Sequence, residues 1–172
     1  MADGISSELL GRLLDEQGGA LALFAAGWTD AADDCVQEAL IELARQRPVP
    51  DSPVAWLFRV VRNRAISRAR SARRRERHES LVGRLRLQVS EGRTADGREP
   101  EDVAVALESL APELREVVVA RTWGGLGFEQ IAALVGCSTS TAHRRYEAGL
   151  VALRERLDGT CPMNTKTSGS KS

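Results

Sequence analysis

Two groups of side chains in this sequence have the chemistry to bind nucleic acid. The first is a run of nine arginines that contains a single acid, Glu76; its basic members are Arg59, Arg62, Arg64, Arg68, Arg70, Arg73, Arg74, Arg75 and Arg77. The second is the polar set Ser140, Thr141, His143, Arg144 and Arg145. Guanidinium groups neutralise phosphates and read guanine in the major groove, and hydroxyls reach phosphates or base edges. A helix that is merely solvated usually mixes both charge signs, so the arginine run is the more unusual feature.

The sequence offers no constellation for catalysis. It has two histidines, His78 and His143, no glycine-rich phosphate loop after a strand, and no carboxylate pair near a plausible pocket. Its three cysteines, Cys35, Cys137 and Cys161, are odd in number and far apart, which argues against a disulfide framework or a zinc site. We therefore expect a protein that is not an enzyme, that needs no cofactor, and that works in a reducing cytoplasm.

Hydropathy gives no sign of a membrane protein. No apolar run approaches the roughly 18 residues that a membrane span requires. The first residues also lack the basic stretch, apolar core and small-residue cleavage site of a secretory signal. We expect no membrane insertion.

Charge is distributed unevenly along a chain that is neutral overall, with 24 basic and 24 acidic residues. Residues 1–50 carry 3 basic and 9 acidic side chains, a net charge of −6. Residues 51–100 carry 13 and 6, a net charge of +7, and residues 101–172 carry 8 and 9, a net charge of −1. Such asymmetry points to polyanions or charged proteins as partners.

The elements that position these residues are all predicted to be helices. Aromatic residues are 4% of the chain, and strand-like alternation is nearly absent. The first helical stretch is 5–26, with a break or kink expected at Gly18-Gly19. The second is 29–46, with Thr29 as its N-cap. The third runs from about Val54 to Arg77, after a restart in which Ser52 is the N-cap and Pro53 the first helical residue.

A helix-turn-helix is predicted over 128–150, FEQIAALVGCSTSTAHRRYEAGL. Gly136 suits a left-handed turn between its helices, and Gly127 stands where a Ser or Thr would cap the first helix better. The first helix is expected to bury Ile131, Ala132 and Val135. The second is expected to bury Ala142, Tyr146, Leu150, Leu153 and Leu157, so that the polar set faces outward as a recognition helix.

Composition predicts two small helical domains. The first is 1–77, and a linker rich in glycine follows at 78–100. The second domain is 101–158, and the tail 159–172 has the composition of a disordered segment.

Each feature also has a plainer interpretation. The helix-turn-helix could be an ordinary helical hairpin with a solvated basic face. Trp56 could be a core residue or a platform on which an unpaired base stacks. The acidic face of 29–46 could be plain surface or a docking site for a basic protein.

In this order, the motifs resemble those of bacterial sigma factors of the two-domain, extracytoplasmic-function kind within the sigma-70 family. AADDCVQEALIEL (31–43) resembles the core-binding helix of that family, and VAWLFRVVRNRAISRARSARRR (54–75) resembles its promoter-melting helix. The helix-turn-helix together with ALRERL (152–157) resembles the family's second DNA-binding domain.

The resemblance implies a subunit that lends promoter specificity to core RNA polymerase. Polymerase contact would fall to the acidic helix, at Asp33, Asp34, Gln37 and Glu38. The unpaired strand of the −10 element would be captured beside the loop 45–53, by Trp56, Arg59, Arg62 and Asn63. The −35 duplex would be read by Ser140, Thr141, His143, Arg144 and Arg145. Family members are commonly held inactive by an anti-sigma factor, which makes such a protein a further possible partner.

Two other functions stay open at this point. One is a stand-alone helix-turn-helix regulator, in which 101–158 binds an operator as a dimer and 1–77 senses or dimerises. The other is an antagonist that binds polymerase but no promoter. A regulator has no evident need of the arginine-rich helix, which argues against the first of these.

Overall fold

The computed structural model describes residues 4–76 and 100–159, and every regular element in these ranges is a helix. This confirms the prediction of an all-α protein. The helices are α1 (Ser7–Ala26), α2 (Ala32–Arg45), α3 (Pro53–Glu76), α4 (Pro100–Glu108), α5 (Pro112–Thr122), α6 (Phe128–Val135) and α7 (Thr139–Gly159). The predicted linker, apart from Pro100, and nearly all of the predicted tail lie outside the described residues.

Helices α1, α2 and α3 pack against one another around large apolar side chains. Phe24 of α1 meets Phe58 of α3 edge to face, with ring centroids 5.0 Å apart. Buried positions of α2 and α3 fall at helical spacing, so each helix turns one face to this core. They are Cys35, Val36, Ala39 and Leu43 in α2, and Leu57, Phe58, Val61 and Ala65 in α3.

Two details of the first helices differ from the sequence prediction. Helix α1 is continuous, because packing of Leu21 and Phe24 outweighs the helix-weakening effect of Gly18-Gly19, and no break is present there. Helix α2 has Ala31, rather than Thr29, as its N-cap. The Thr29 hydroxyl instead accepts a hydrogen bond from the Ala31 backbone N–H at 3.2 Å, just ahead of the helix.

Helices α4 to α7 form the second group, and α5 lies at its centre. Five consecutive residues of α5, from Glu116 to Ala120, are buried. Successive residues of a helix point about 100° apart, so five in a row cover its whole circumference. Helix α7 packs on one side of α5 and α1 on another. Residues 116–120 are therefore covered by both helix groups.

The helix-turn-helix is formed by α6 and α7, and the predicted turn is present. Gly136 ends α6 in the left-handed conformation, at φ 72° and ψ 45°, which only glycine adopts without a steric cost. Gly127 has no side chain to offer α6, and its own N–H donates to Gln130 Oε1 at 3.0 Å.

The expected burial of Leu150 is wrong. Leu150 is 41% exposed, and Gly149 is the buried residue of that turn. A Cβ on Gly149 would lie 2.5 Å from Val118 Cγ2, so glycine is what allows α7 to approach α5 so closely. Ala142 and Leu153 are buried, and Tyr146 and Leu157 are half-buried, as part of the same core. In α6, Ile131 and Ala132 are buried, whereas Val135 is half-buried and Leu134 fills the core beside them.

None of the helices in the two described ranges is long and apolar enough to cross a membrane.

Cysteine reactivity provides a check on this packing. Cys35 is fully buried, and burial raises the pKa of its thiol, whereas Cys137 is half-buried in the helix-turn-helix. In a Cys161→Ser variant, we expect iodoacetamide at pH 8 to alkylate Cys137 and to leave Cys35 unmodified until urea unfolds the chain. Peptide mass mapping after timed labelling measures this. Equal labelling rates in the folded protein would contradict the placement of Cys35 in the core.

Candidate nucleic-acid and polymerase interfaces

The arginine run of α3 is divided into sides with different surroundings. One side faces α2, where the Arg64 guanidinium contacts Glu38 Oε2 at 2.6 Å and Glu42 Oε2 at 2.5 Å. Arg68 contacts Glu38 Oε1 at 2.7 Å and Asp34 Oδ2 at 3.4 Å. These two arginines thus neutralise the acidic helix and are not free to track a phosphate backbone.

The α2–α3 ion pairs give a first prediction about stability. Arg64→Ala removes the ion-pair partner of Glu42 and leaves Glu38 with Arg68 alone, so we expect the free energy of unfolding to fall by about 1 kcal/mol. Arg70→Ala is the matched control, because it makes the same change on the same helix at an exposed position, and it should cost under about 0.5 kcal/mol. Urea unfolding followed by circular dichroism measures both. Equal losses would show that the ion pairs add nothing to stability.

Another side of α3 borders an open groove of about 960 Å³. Two residues predicted to contact the −10 strand, Arg62 and Asn63, line it. The remaining lining residues are Ile66, Ser67, Arg70, Arg73 and Arg74. The groove is basic, since four of its seven lining residues are arginines and none is acidic. Its positive charge suits a nucleic-acid strand, whose phosphates the arginines would neutralise.

The other two residues predicted for the −10 element lie N-terminal to the groove on α3. Arg59 is exposed, and Trp56 is half-buried and packs against the core. Positions 56, 59 and 63 follow the i, i+3, i+7 spacing of one helix face, so Trp56, Arg59 and Asn63 extend the groove toward the N-terminus of α3. Trp56 is accordingly both a packing residue and an accessible one.

Arg62 has a partner that the sequence did not reveal. Its Nε donates to Glu116 Oε1 at 2.7 Å and its Nη2 to Glu116 Oε2 at 3.2 Å. Glu116 lies on α5, 54 positions away, and its Oε1 also accepts a hydrogen bond from Trp28 Nε1 at 3.1 Å. This contact joins the two groups of helices.

The recognition-helix residues lie on the first two turns of α7. Ser140, His143 and Arg144 are exposed, and Thr141 and Arg145 are half-buried. Helix α7 is capped at its start by Ser138, whose Oγ accepts from the Thr141 N–H at 3.1 Å and lies 2.8 Å from the Thr141 hydroxyl. Thr141 therefore helps to form the cap, and Ser140 is the freer hydroxyl.

His143 is held by neighbours on both sides. Its ring lies 4.8 Å from the Phe128 ring of α6, and its Nδ1 is 3.5 Å from Glu147 Oε2 one turn further along α7. Phe128 also contacts Tyr146 edge to face and lies under the Arg121 guanidinium, 4.9 Å from the ring centroid. These contacts fix the angle between α6 and α7. Arg144 and Arg145 have no ion-pair partner among the described residues.

The four residues predicted to contact polymerase lie on α2, but their surroundings differ. Asp34 and Glu38 are engaged by the arginines of α3. Asp33 and Gln37 are exposed, and Ile41 continues their i, i+4, i+8 line at 52% exposure. Ile41 was not among the residues predicted to contact polymerase. Its signal, an isoleucine on the polar side of an amphipathic helix, becomes visible only once the buried face is known.

Comparisons with known proteins match both groups of helices. The family model for Sigma-70 region 2 matches residues 20–75, and that for Sigma-70, region 4 matches residues 101–153. The ECF RNA polymerase sigma factor EcfG of Rhodopseudomonas palustris is 32% identical over 130 residues, 73% of this chain and 71% of the relative. The ECF RNA polymerase sigma factor SigL of Mycobacterium tuberculosis is 32% identical over 173 residues, 91% of this chain and 93% of the relative.

A solved structure has the same fold. It is the sigma factor RpoE of Bartonella quintana, in a co-crystal structure with the anti-sigma factor NepR. The match has a TM-score of 0.71 at 24% identity and covers 91% of this chain and 100% of the other.

Proposed function

The chain belongs to the extracytoplasmic-function group of the sigma-70 family, and on that premise we propose that it binds core RNA polymerase and directs it to a specific class of promoters. The observation that carries this function is the presence of region 2 and region 4, in that order, in one chain. A stand-alone regulator would need only the second of these. An antagonist of polymerase would need no recognition helix.

The two regions would divide promoter recognition between them. We assign the region 2 role to a domain at 1–77 and the region 4 role to a domain at 101–158, with 78–100 as the linker and 159–172 as a tail. The basic groove of α3, with Trp56, Arg59, Arg62 and Asn63, would hold the unpaired −10 strand. Base stacking on the indole and phosphate neutralisation by arginine supply the two interactions that single strands need. This assignment is supported by the four arginines that line the groove and by the lack of any acid among its lining residues.

Duplex recognition at the −35 element would fall to the start of α7. Ser140, Arg144 and Arg145 are the side chains best placed for it, while Thr141 and His143 orient them through the cap and the Phe128 contact. An α-helix fits the major groove, and arginine there contacts guanine bidentately. A recognition helix must be held in a fixed orientation relative to the rest of its domain, and the aromatic contacts between α6 and α7 hold α7 in this way.

Polymerase would bind the exposed face of α2. Asp33, Gln37 and Ile41 line that face, and Asp34 and Glu38 lie beside it with their charges already compensated. An apolar side chain with polar neighbours at its rim is typical of a docking surface.

The subunit would contribute binding and strand capture rather than catalysis, and would act in the cytoplasm, where polymerase is. An anti-sigma factor is a further partner to test.

Run-off transcription with purified bacterial core polymerase tests the function directly. The template is a genomic library of upstream regions, transcribed with and without this protein. We expect discrete start sites that appear only when the protein is present and that share paired upstream elements. Polymerase binding without new start sites would instead identify an antagonist. Binding to duplex DNA without any binding to polymerase would identify a stand-alone regulator.

A further inference from the structure

Glu116 has an unusual environment for a carboxylate. It is 5% exposed and is the only charged side chain that is buried among the residues the structure describes. Its oxygens accept three hydrogen bonds: one from Trp28 Nε1 and two from Arg62 Nε and Nη2. A buried carboxylate is costly unless it is paired, and a bidentate guanidinium is its strongest common partner.

All three of these hydrogen bonds come from the other group of helices. Trp28 follows α1 and Arg62 lies on α3, whereas Glu116 lies on α5. Separation of the two groups would break all three bonds at once and expose the carboxylate to water. The pair therefore stabilises the packed arrangement specifically and contributes nothing to either group by itself.

Other contacts cross the same surface. Gln130 Nε2 donates to Ser52 Oγ at 3.2 Å. Gly124, before α6, lies so close to α3 that a Cβ there would be 2.5 Å from the Phe58 ring, and a Cβ on Gly27 would be 2.6 Å from the Arg115 guanidinium. The two groups of helices thus meet at an extended, closely packed surface with the Glu116 ion pair within it.

The same arginine is needed for two incompatible tasks. Arg62 lines the basic groove that we assign to the −10 strand, and its fork of N–H groups is turned to Glu116. A guanidinium that binds a carboxylate through Nε and Nη2 cannot offer that edge to a phosphate. Its side chain is also only 21% exposed in this arrangement.

We propose that Glu116 acts as an internal latch: in the free protein it holds Arg62 as a carboxylate mimic of a nucleic-acid phosphate, and the latch must open before Arg62 can bind single-stranded DNA. This inference rests on the proposed function for the identity of the ligand. Opening is the separation of the α1–α3 group from the α4–α7 group. A ligand that binds only the open state has its affinity reduced by the fraction of molecules that are open.

The test compares Glu116→Gln with Glu113→Gln in the full chain. Both changes remove one negative charge from α5, but Glu113 is exposed and has no contact with Arg62. The probe is a fluorescein-labelled 20-nucleotide oligo(dT), and fluorescence anisotropy measures its affinity for the free protein. We expect Glu116→Gln to bind roughly tenfold more tightly than wild type, since a latch that keeps about 90% of molecules closed reduces affinity by that factor. Glu113→Gln should differ from wild type by less than about twofold.

A second measurement reports the opening itself. Small-angle X-ray scattering should show a larger radius of gyration for Glu116→Gln than for Glu113→Gln. Circular dichroism must show the same helix content for both. Should Glu116→Gln fail to fold, Trp28→Phe removes one hydrogen bond from the latch and keeps the ring, with the exposed Trp123→Phe as its control. Affinity and radius equal to those of the control would overturn the latch.

The latch and the sigma function fail in distinguishable ways. Run-off transcription by the wild-type chain with core polymerase tests the function alone. If wild type directs transcription and Glu116→Gln gains no affinity for oligo(dT), the function stands and the latch is rejected. If wild type directs no transcription while Glu116→Gln gains affinity and opens, the latch stands as a device in a protein of another function.

Discussion

Replacing Arg144 and Arg145 together with alanine is expected to lower transcription from this protein's promoters by about a hundredfold or more. Each bidentate contact between arginine and guanine contributes about 1–3 kcal/mol of discrimination. Loss of two such contacts costs about 2–6 kcal/mol, a range whose midpoint of about 4 kcal/mol is above the roughly 2.8 kcal/mol that corresponds to a hundredfold change. Neither arginine has an ion-pair partner among the described residues, and Arg144 is exposed and Arg145 half-buried, so the double variant should still fold. Run-off transcription at equal protein concentration measures the effect.

The control is Arg154→Ala on the same helix. Arg154 is exposed and lies ten residues beyond Arg144, about 15 Å along the helix axis and outside the reach of a groove entered by the first turns. It should retain transcription within about threefold of wild type. The double variant should also keep its affinity for core polymerase, because the proposed polymerase face lies on α2. Unchanged transcription by the double variant would remove α7 from promoter recognition.

Much of the fold could be predicted from the sequence because its signals are local. Ser52 followed by Pro53 marks the start of α3, and Gly136 marks the turn of the helix-turn-helix, since cap and turn chemistry depends on neighbouring residues. The buried residues Leu57, Val61 and Ala65 follow the i, i+4, i+8 spacing of one helix face, which is also a local signal. Helix α4 was not predicted as a separate element because it is only nine residues long.

The errors arise where helices approach one another closely. Leu150 has the spacing of a buried residue, but Gly149 is the residue that meets Val118. The helical spacing of apolar residues is compatible with burial of either position 149 or position 150. Which of the two is buried depends on how closely α5 approaches. Gly18-Gly19 shows the reverse case, because tertiary packing of Leu21 and Phe24 outweighs an unfavourable local propensity.

The candidate site was only partly predictable, because contacts between residues far apart in the sequence decide which of its charged side chains are paired and which stay exposed. The sequence shows nine arginines in one run but not that Arg64 and Arg68 neutralise α2. In the sequence PELREVVV, Glu116 looks like an ordinary surface acid. Its burial depends on Trp28 and Arg62, which are 88 and 54 positions away. Long-range pairing of this kind leaves no periodic signal in a single sequence.

The exposed face of α2 leads to the second large effect, on polymerase binding. Ile41→Arg is expected to weaken affinity for core RNA polymerase by about thirtyfold. Loss of the contact made by a residue near the centre of an interface typically lowers the binding free energy by about 2 kcal/mol or more. A charge placed against an apolar contact adds a desolvation penalty. Ile41 is 52% exposed in the free chain, so the substitution should leave its stability nearly unchanged. Fluorescence anisotropy with labelled protein and titrated core polymerase measures the affinity.

Leu14→Arg is the matched control for this prediction. Leu14 is 50% exposed on α1, so the change has the same chemistry and nearly the same exposure as Ile41→Arg, on a helix outside the proposed face. We expect its affinity for polymerase to stay within about threefold of wild type. If both variants lose affinity equally, added positive charge rather than the α2 face explains the loss. If neither loses affinity, polymerase binds elsewhere, and Asp33 and Gln37 lose their assignment together with Ile41, because the three share one line of exposed positions.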